Sequence, residues 1–313
     1  MAERLMLLDT PTLYYRAYFG IPESITAPDG MPVNAIRGTL DFITHLVTTY
    51  HPNRLIATFD ADWRPAFRVA LLPSYKTHRV LDPAETAPDP NVELIPDTLG
   101  PQVPVLESVL DAFGLARGWA DEFEADDAIA AYAAAHKGPV DVVTGDRDMF
   151  QLVSDERAVR VLNIARGVAK LEVLDDAALA AKYGVSGAGY ADYATLRGDP
   201  SDGLPGVAGV GEKTAAALIT EYGSLTGLLA ALDDPASALK PAMRKKLDAA
   251  RDYLAVAPQV VRVRADAPGI AVDSTLPTTP AHPEELEQLS ERYGLGSPIK
   301  RLIKALAASS TSG

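Results

Sequence analysis

Three apolar runs in the first half of this chain each stop at an aspartate. They are Leu5–Asp9, Leu55–Phe59 followed by Asp60, and Val140–Thr144 followed by Gly145-Asp146. Runs this short read as buried strands. Between them Ile36, Leu40, Ile43, Val47 and Tyr50 recur at helical spacing, as do Leu99, Val103, Leu106, Leu110 and Phe113, and Ala125–Ala135 is helical throughout. Alternation of this kind over residues 1–180 predicts a parallel α/β sheet. Open sheets of that type bind ligands beyond the carboxyl ends of their strands, where the three aspartates stand. Arg157–Ile164 and Val168–Leu174 read as a strand pair turned near Arg166-Gly167. Residues 175–257 read as successive helices, 265–283 as a loop, and Glu284–Tyr293 and Pro298–Ala307 as terminal helices. The Pro- and Asp-rich stretch 80–96 predicts a mobile loop, and 309–313 a disordered tail.

The acids are grouped. Glu124-Ala-Asp126-Asp127 is followed by Gly145-Asp146-Arg147-Asp148 and later by Gly198-Asp199-Pro-Ser-Asp202. With Asp9 and Asp60 they make nine carboxylates. Such groups repel when crowded and resist ionising together, and a hard divalent cation on oxygen ligands relieves them. The chain has no Cys, and its histidines show no ligand spacing. Mg²⁺ or Mn²⁺ is therefore expected rather than Zn²⁺, in a two-metal phosphoryl-transfer site.

The absence of Cys also excludes disulfides and thiol nucleophiles, and fits a reducing compartment. The N-terminal apolar run is too short for a signal peptide. No stretch approaches the ~20 apolar residues that span a bilayer, so a cytoplasmic protein without membrane contact is expected. A net charge of −13 opposes nucleic-acid binding, yet the proposed ligands supply nine of the acids. Local cations then carry any such contact. Arg16, Arg64, Arg68, Lys76, His78 and Arg79 are interleaved with Tyr14, Tyr15, Tyr18, Trp63, Phe67 and Tyr75, a mixture suited to an unpaired strand. After Asp202 comes a glycine-rich hairpin with Gly206, Gly209, Gly211 and Lys213, leading into a helix at Ala215–Tyr222. It lacks the order of a dinucleotide fingerprint. It fits a helix–hairpin–helix, at about 196–222, that holds a duplex backbone without reading bases.

Taken in order, these segments resemble the bacterial 5′-nuclease, or flap-endonuclease, family: the 5′–3′ exonuclease domain of DNA polymerase I and its stand-alone relatives. The resemblance rests on Leu8-Asp9…Tyr15-Arg16-Ala17-Tyr18-Phe19, Phe59-Asp60…Phe67-Arg68…Tyr75-Lys76…Arg79, Phe123-Glu124-Ala125-Asp126-Asp127, Thr144-Gly145-Asp146-Arg147-Asp148, and Gly198-Asp199…Asp202…Gly209-Val210-Gly211-Glu212-Lys213-Thr214. It covers roughly residues 4–265. It implies a PIN-like (resolvase-like) nuclease domain at 1–180 and an all-helical DNA-binding domain of helix–hairpin–helix type at 181–308. It further implies that Asp9, Asp60, Glu124, Asp126 and Asp127 serve one metal set, and Asp146, Asp148, Asp199 and Asp202 the other. Lys76 and Arg16 would face the scissile phosphate. Residues 64–96 would form an arch over a threaded 5′ strand, with Arg68, Tyr75 and Arg79 on the DNA. A potassium ion would bridge hairpin carbonyls to phosphate.

The expected activity is metal-dependent flap endonuclease and 5′–3′ exonuclease cleavage in replication and repair. Its substrates would be branched or 5′-flap DNA and nicked or gapped duplex. The protein would be a free-standing monomer working alongside a DNA polymerase. The departures from the family pattern, Thr10-Pro11 after the first aspartate and Pro200-Ser201-Asp202-Gly203, spare the carboxylates. The alternatives are a PIN-type ribonuclease and a non-catalytic binder of DNA structures. The hairpin argues against the first and the intact acids against the second.

Overall fold

The computed structural model describes residues 3–81 and 91–309. The first half runs β1 (Leu5–Asp9), α1 (Thr10–Gly20), α2 (Asn34–Tyr50), β2 (Arg54–Thr58), α3 (Ala66–Leu71), α4 (Gln102–Phe113), β3 (Ala116–Gly118), α5 (Ala125–Ala135), β4 (Val140–Thr144), β5 (Val159–Asn163) and β6 (Glu172–Leu174). Then come α6 (Asp176–Tyr183), α7 (Gly187–Arg197), α8 (Glu212–Tyr222), α9 (Leu225–Asp233), α10 (Pro241–Ala249), α11 (Arg251–Val261), α12 (Pro283–Tyr293) and α13 (Gly296–Ser309).

The six strands form one sheet in the order β3-β2-β1-β4-β5-β6. β1 to β5 are parallel, whereas β6 runs antiparallel to β5, pairing Val161 with Leu174 and Asn163 with Glu172. The sheet is thus mixed rather than wholly parallel, because a short hairpin and not a helical crossover joins its last two strands. β3, only three residues long, carries too little pattern to be visible in the sequence.

The strands β1, β2, β4 and β5 carry apolar residues on both faces, as a sheet covered by helices requires. Leu5 and Leu7 of β1 face one way, joining Ile56, Val140, Val142 and Val161 in a core that extends through α5 to α9. Met6 and Leu8 face the other, joining Leu55, Ala57, Val143 and Leu162 beneath α2 and α4. Leu286, Leu295, Ile299, Leu302 and Leu306 of the last two helices belong to this second core. This corrects the expected division at 180. That position lies inside α6, and α12 and α13, assigned to the helical DNA-binding half, instead pack on α4 and α2 and join the second core. Ahead of them the chain returns to the sheet, where Leu55 N–H donates to Ser274 O and Leu276 N–H to Asn53 O. Of the expected disordered tail, Ser309 ends α13 and 310–313 lie outside the described residues.

Candidate active site

The strand order makes β2, β1 and β4 neighbours, so Asp60, Asp9 and Asp146 stand in a row along one edge of the sheet. Asp9 is buried and also starts α1: its Oδ1 accepts from Thr12 N–H at 3.1 Å. Its Oδ2 accepts from the Thr144 hydroxyl at 2.5 Å, and the Thr144 oxygen in turn accepts from Asp146 N–H at 2.9 Å. Thr144, not singled out among the candidate residues, thus ties two of the three aspartates. Asp60 accepts from Ala125 N–H at 2.8 Å, which fixes the start of α5 and hence Glu124 and Asp126. Asp9, Asp60, Glu124, Asp126 and Asp146 line one cavity of about 700 Å³, with Arg16, Lys76 and Arg79 on its walls.

A second acidic group adjoins it. Asp148 donates its N–H to Asp146 Oδ1 at 2.8 Å and is buried, with an Oδ1 that no donor reaches among the described residues. Asp199 accepts from Ser201 N–H at 2.9 Å and from Arg197 Nη2 at 3.1 Å. Asp202 holds the Lys76 loop in place by accepting Lys76 N–H on its carbonyl at 3.1 Å. Sequence reasoning missed Arg197, whose position two residues before Asp199 was the available signal.

Lys76 has φ +48°, a left-handed conformation uncommon for a side-chain-bearing residue. Its ammonium donates to Glu124 Oε1. Burial is the largest influence and pulls its pKa down, but the charges of Glu124, Tyr75 and Asp202 and the Glu124 hydrogen bond together outweigh it and hold the group charged. Glu124 is braced from its other oxygen by Arg68 (2.5 Å) and the Tyr75 hydroxyl (2.8 Å). Arg16 lines the cavity with a buried Nε that no acceptor reaches among the described residues. Arg79 sits at the rim, paired with Glu93 and 5.5 Å above the Trp63 ring.

Three expectations change here. Asp127, expected as a ligand, is fully buried, and its two oxygens take four donors: Arg68 Nη1 and Nη2 (both 2.7 Å), Arg264 N–H (2.8 Å) and Glu124 N–H (3.4 Å). An ionised carboxylate has about four acceptor sites, so none remains for a metal. Arg68, expected on DNA, is 2% exposed and also donates to Val260 O of α11 at 3.0 Å. Tyr75, expected beside it, is 3% exposed. Both brace the site from behind. Arg64 is likewise buried, wrapped by Tyr75 O, Pro73 O and Asn91.

Of the expected arch, α3 and a tight turn at Thr77–Arg79 are described, and 82–90 lie outside the described residues. Leu81 N–H donates to Val92 O and Leu94 N–H to Arg79 O, so the two flanks form a paired neck beside the cavity.

The glycine-rich hairpin joins α7 to α8. Gly206 (φ +65°) packs so closely that a Cβ would come within 2.5 Å of Arg197 O. Gly209 (φ +71°) also needs the left-handed region, and its carbonyl accepts from Lys246 Nζ at 2.8 Å. Gly211 does not need it: it caps α8 at φ −95° with open space around it. Lys213 is exposed in the first turn of α8.

Burial first, then mutual repulsion, raises the carboxyl pKa values. Asp126 is pushed well above the usual range by desolvation, then by Asp146, Asp9 and Glu124; Asp148 by desolvation, then by Asp146, Asp202 and Asp199. Desolvation also lifts Asp60 and Asp202 to about 6. A carboxyl whose pKa is higher folded than unfolded binds more protons in the native state, so stability rises as pH falls through about 6. In EDTA, the melting temperature should therefore increase between about pH 7.5 and pH 5.5, and excess Mg²⁺ should flatten that trend. A melting temperature in EDTA that drops steadily over the same interval would remove the crowded-acid reading.

Among the described residues no three carboxyl or imidazole groups already close into a cage. Mg²⁺ does not require one: it keeps several waters and takes one or two carboxylates directly. The all-oxygen donor set, the orphaned Asp148 Oδ1 and Asp126 on the cavity wall fit such an ion.

Residues 4–184 match a family model described as the 5′–3′ exonuclease N-terminal resolvase-like domain, and 185–284 one described as the 5′–3′ exonuclease C-terminal SAM fold. A "5′-3′ exonuclease" of Streptomyces coelicolor is 58% identical over 303 residues, covering 97% of this chain and 100% of that protein. A "5′-3′ exonuclease" of Mycobacterium tuberculosis is 49% identical, covering 98% of each. DNA polymerase I of Mycobacterium bovis is 40% identical over 247 residues, 26% of its length. Among solved structures, T5 5′-exonuclease with divalent zinc bound superposes with TM-score 0.61 at 18% identity, covering 98% of each chain. The catalytic core of Rad2 with DNA substrate gives 0.56 at 16%, covering 97% of this chain and 92% of that one. At such identities the likeness concerns the fold.

Proposed function

This chain belongs to the 5′–3′ exonuclease family, and from that membership we propose a structure-specific, metal-dependent 5′ nuclease that hydrolyses DNA phosphodiesters at flaps and 5′ ends. The observation that carries this reading is the row of Asp60, Asp9 and Asp146 on adjacent strand ends, facing Lys76 and Arg16 across one cavity. Asp9, Asp60, Asp126 and Asp146, with Asp148, Asp199 and Asp202 beside them, would hold two or more Mg²⁺ or Mn²⁺ ions. Bound there, the ions supply Lewis-acid neutralisation of phosphate charge and activation of water.

The chain's own groups do the rest. Lys76 and Arg16 present fixed positive charge to a phosphate in the cavity, and charge already in place costs no reorganisation as the reaction proceeds. Glu124 orients Lys76 rather than serving mainly as a ligand. Arg79 and the neck formed by residues 79–81 and 92–94 guide the single strand leaving the cavity. Gly206, Gly209, Gly211 and Lys213 hold the duplex backbone, and potassium would use hairpin carbonyls other than that of Gly209, which Lys246 occupies. We place the domain boundary after α6, with α12 and α13 grouped with the nuclease half. A monomer acting on gapped, nicked or flapped DNA beside a DNA polymerase, in the cytoplasm, completes the reading. Among the described residues no single helix is long and apolar enough to cross a membrane.

The test is cleavage of a labelled 5′-flap DNA and its RNA counterpart, in Mg²⁺ and in EDTA. Mg²⁺-dependent release of the DNA flap is expected. Preferential cleavage of RNA would favour a ribonuclease, and binding without cleavage a non-catalytic role. Within that assay, Lys76→Ala should lower the single-turnover rate about 10²–10³-fold with a much smaller change in DNA affinity. Weaker binding at an unchanged single-turnover rate would make Lys76 a backbone contact only.

A further inference from the structure

Three of the chain's ten lysines, Lys240, Lys245 and Lys246, fall on or just before α10, in a chain of net charge −13. The arginine among them turns inward: Arg244 donates to the carbonyls of Leu232 and Asp234 and to Ser237 Oγ, closing the end of α9. The lysines do not. All three are exposed, and among the described residues none has a carboxylate partner. Asp248, the acid on this helix, is committed to Arg251 at 2.9 Å.

Lysines so close repel one another. The helix dipole accounts for a cation in the last turn, such as Lys246, but disfavours Lys240 at the N-terminal end. Among the described residues no carboxylate offsets that repulsion, whereas a polyanion laid along the helix would. The position of α10 says which polyanion. Lys246 Nζ donates to Gly209 O at 2.8 Å, so this helix is fastened to the hairpin tip. An ammonium has three protons, and Gly209 takes one. The remaining protons can reach a phosphate oxygen, so that Lys246 joins hairpin main chain to DNA backbone while Lys245 takes a neighbouring phosphate.

We propose that α10 is a second duplex-binding element, with Lys245 and Lys246 on phosphates of the duplex that the hairpin holds. The proposal rests on the reading of the hairpin as a duplex grip. Phosphate contacts carry little sequence information but a definite salt dependence.

The experiment is fluorescence anisotropy of a labelled 5′-flap DNA with flanking duplex, in EDTA, from about 50 to 300 mM KCl. It compares the full-length protein with Lys245→Gln, Lys246→Gln, the double variant and the Lys245→Arg, Lys246→Arg pair. Each glutamine should reduce the slope of log K against log salt by roughly 0.9, the double by about twice that, and the arginine pair should keep the wild-type slope. Parallel salt lines for wild type and the double variant would overturn the role of α10 while leaving the hairpin reading in place. If only Lys246→Gln changed binding, without altering the slope, Lys246 would be a brace for the hairpin and the phosphate contact would be refuted. Failure of the wild type to bind the flap at all would remove the duplex reading and this proposal with it. Circular dichroism establishes that each variant is folded.

Discussion

Asp148→Asn and Asp126→Asn should each reduce Mg²⁺-dependent cleavage of a 5′-flap DNA by more than about 10³-fold while leaving the fold intact. Asp148 is buried with an oxygen that no donor reaches among the described residues, and Asp146, Asp199 and Asp202 surround it. Protein structures seldom leave a buried acceptor unpaired, because desolvation alone costs about 1–3 kcal/mol. Here the unpaired oxygen belongs to a carboxylate crowded by three others, a setting that a bound cation would satisfy. Exchange for asparagine removes a ligand charge, and it also removes repulsion. In EDTA both variants should therefore melt at a higher temperature than wild type, so loss of activity and gain of stability go together. Calorimetry in EDTA and single-turnover cleavage in Mg²⁺ check the pair of effects. Near-wild-type cleavage by either variant would defeat the assignment of that residue.

Arg68→Ala should cost about 3–5 kcal/mol of stability, because removing one partner of a buried ion pair strands the others. Arg68 meets Asp127 through two bonds of 2.7 Å, Glu124 at 2.5 Å and Val260 O at 3.0 Å. It therefore fastens α3 to α5 and α11. Urea unfolding gives the change. Arg68→Met with Asp127→Leu should recover part of the loss, since two apolar groups need no neutralisation. A cost below about 1 kcal/mol for Arg68→Ala, together with a lower salt slope for DNA binding, would return Arg68 to the DNA surface.

The contrast between Asp148 and Asp127 marks what the sequence could disclose. Asp9, Asp60 and Asp146 were legible because a strand fixes where its last residue points, and neighbouring parallel strands bring those ends together. Asp127 was not. It shares a helix start with Asp126, and its role depends on Arg68, 59 residues earlier, and on a main-chain N–H at Arg264. Arg68 and Tyr75 were read as surface groups because a cation beside aromatic rings looks alike whether buried or exposed. The hairpin's glycines were visible, but not which of them needed a left-handed backbone. The amphipathic pattern of α12 and α13 announced two helices without saying which core they would enter.

That last placement bears on the order in which the molecule can be assembled. The face of the sheet that carries Met6, Leu8, Leu55 and Val143 shares its core with Leu286, Ile299, Leu302 and Leu306, which the ribosome makes late. The acids near the amino end are translated long before their supporting layer is complete. A nascent chain thus completes its six strands, the last ending at Leu174, before the helices that close the second core exist, and that core stays open to water until α12 and α13 dock.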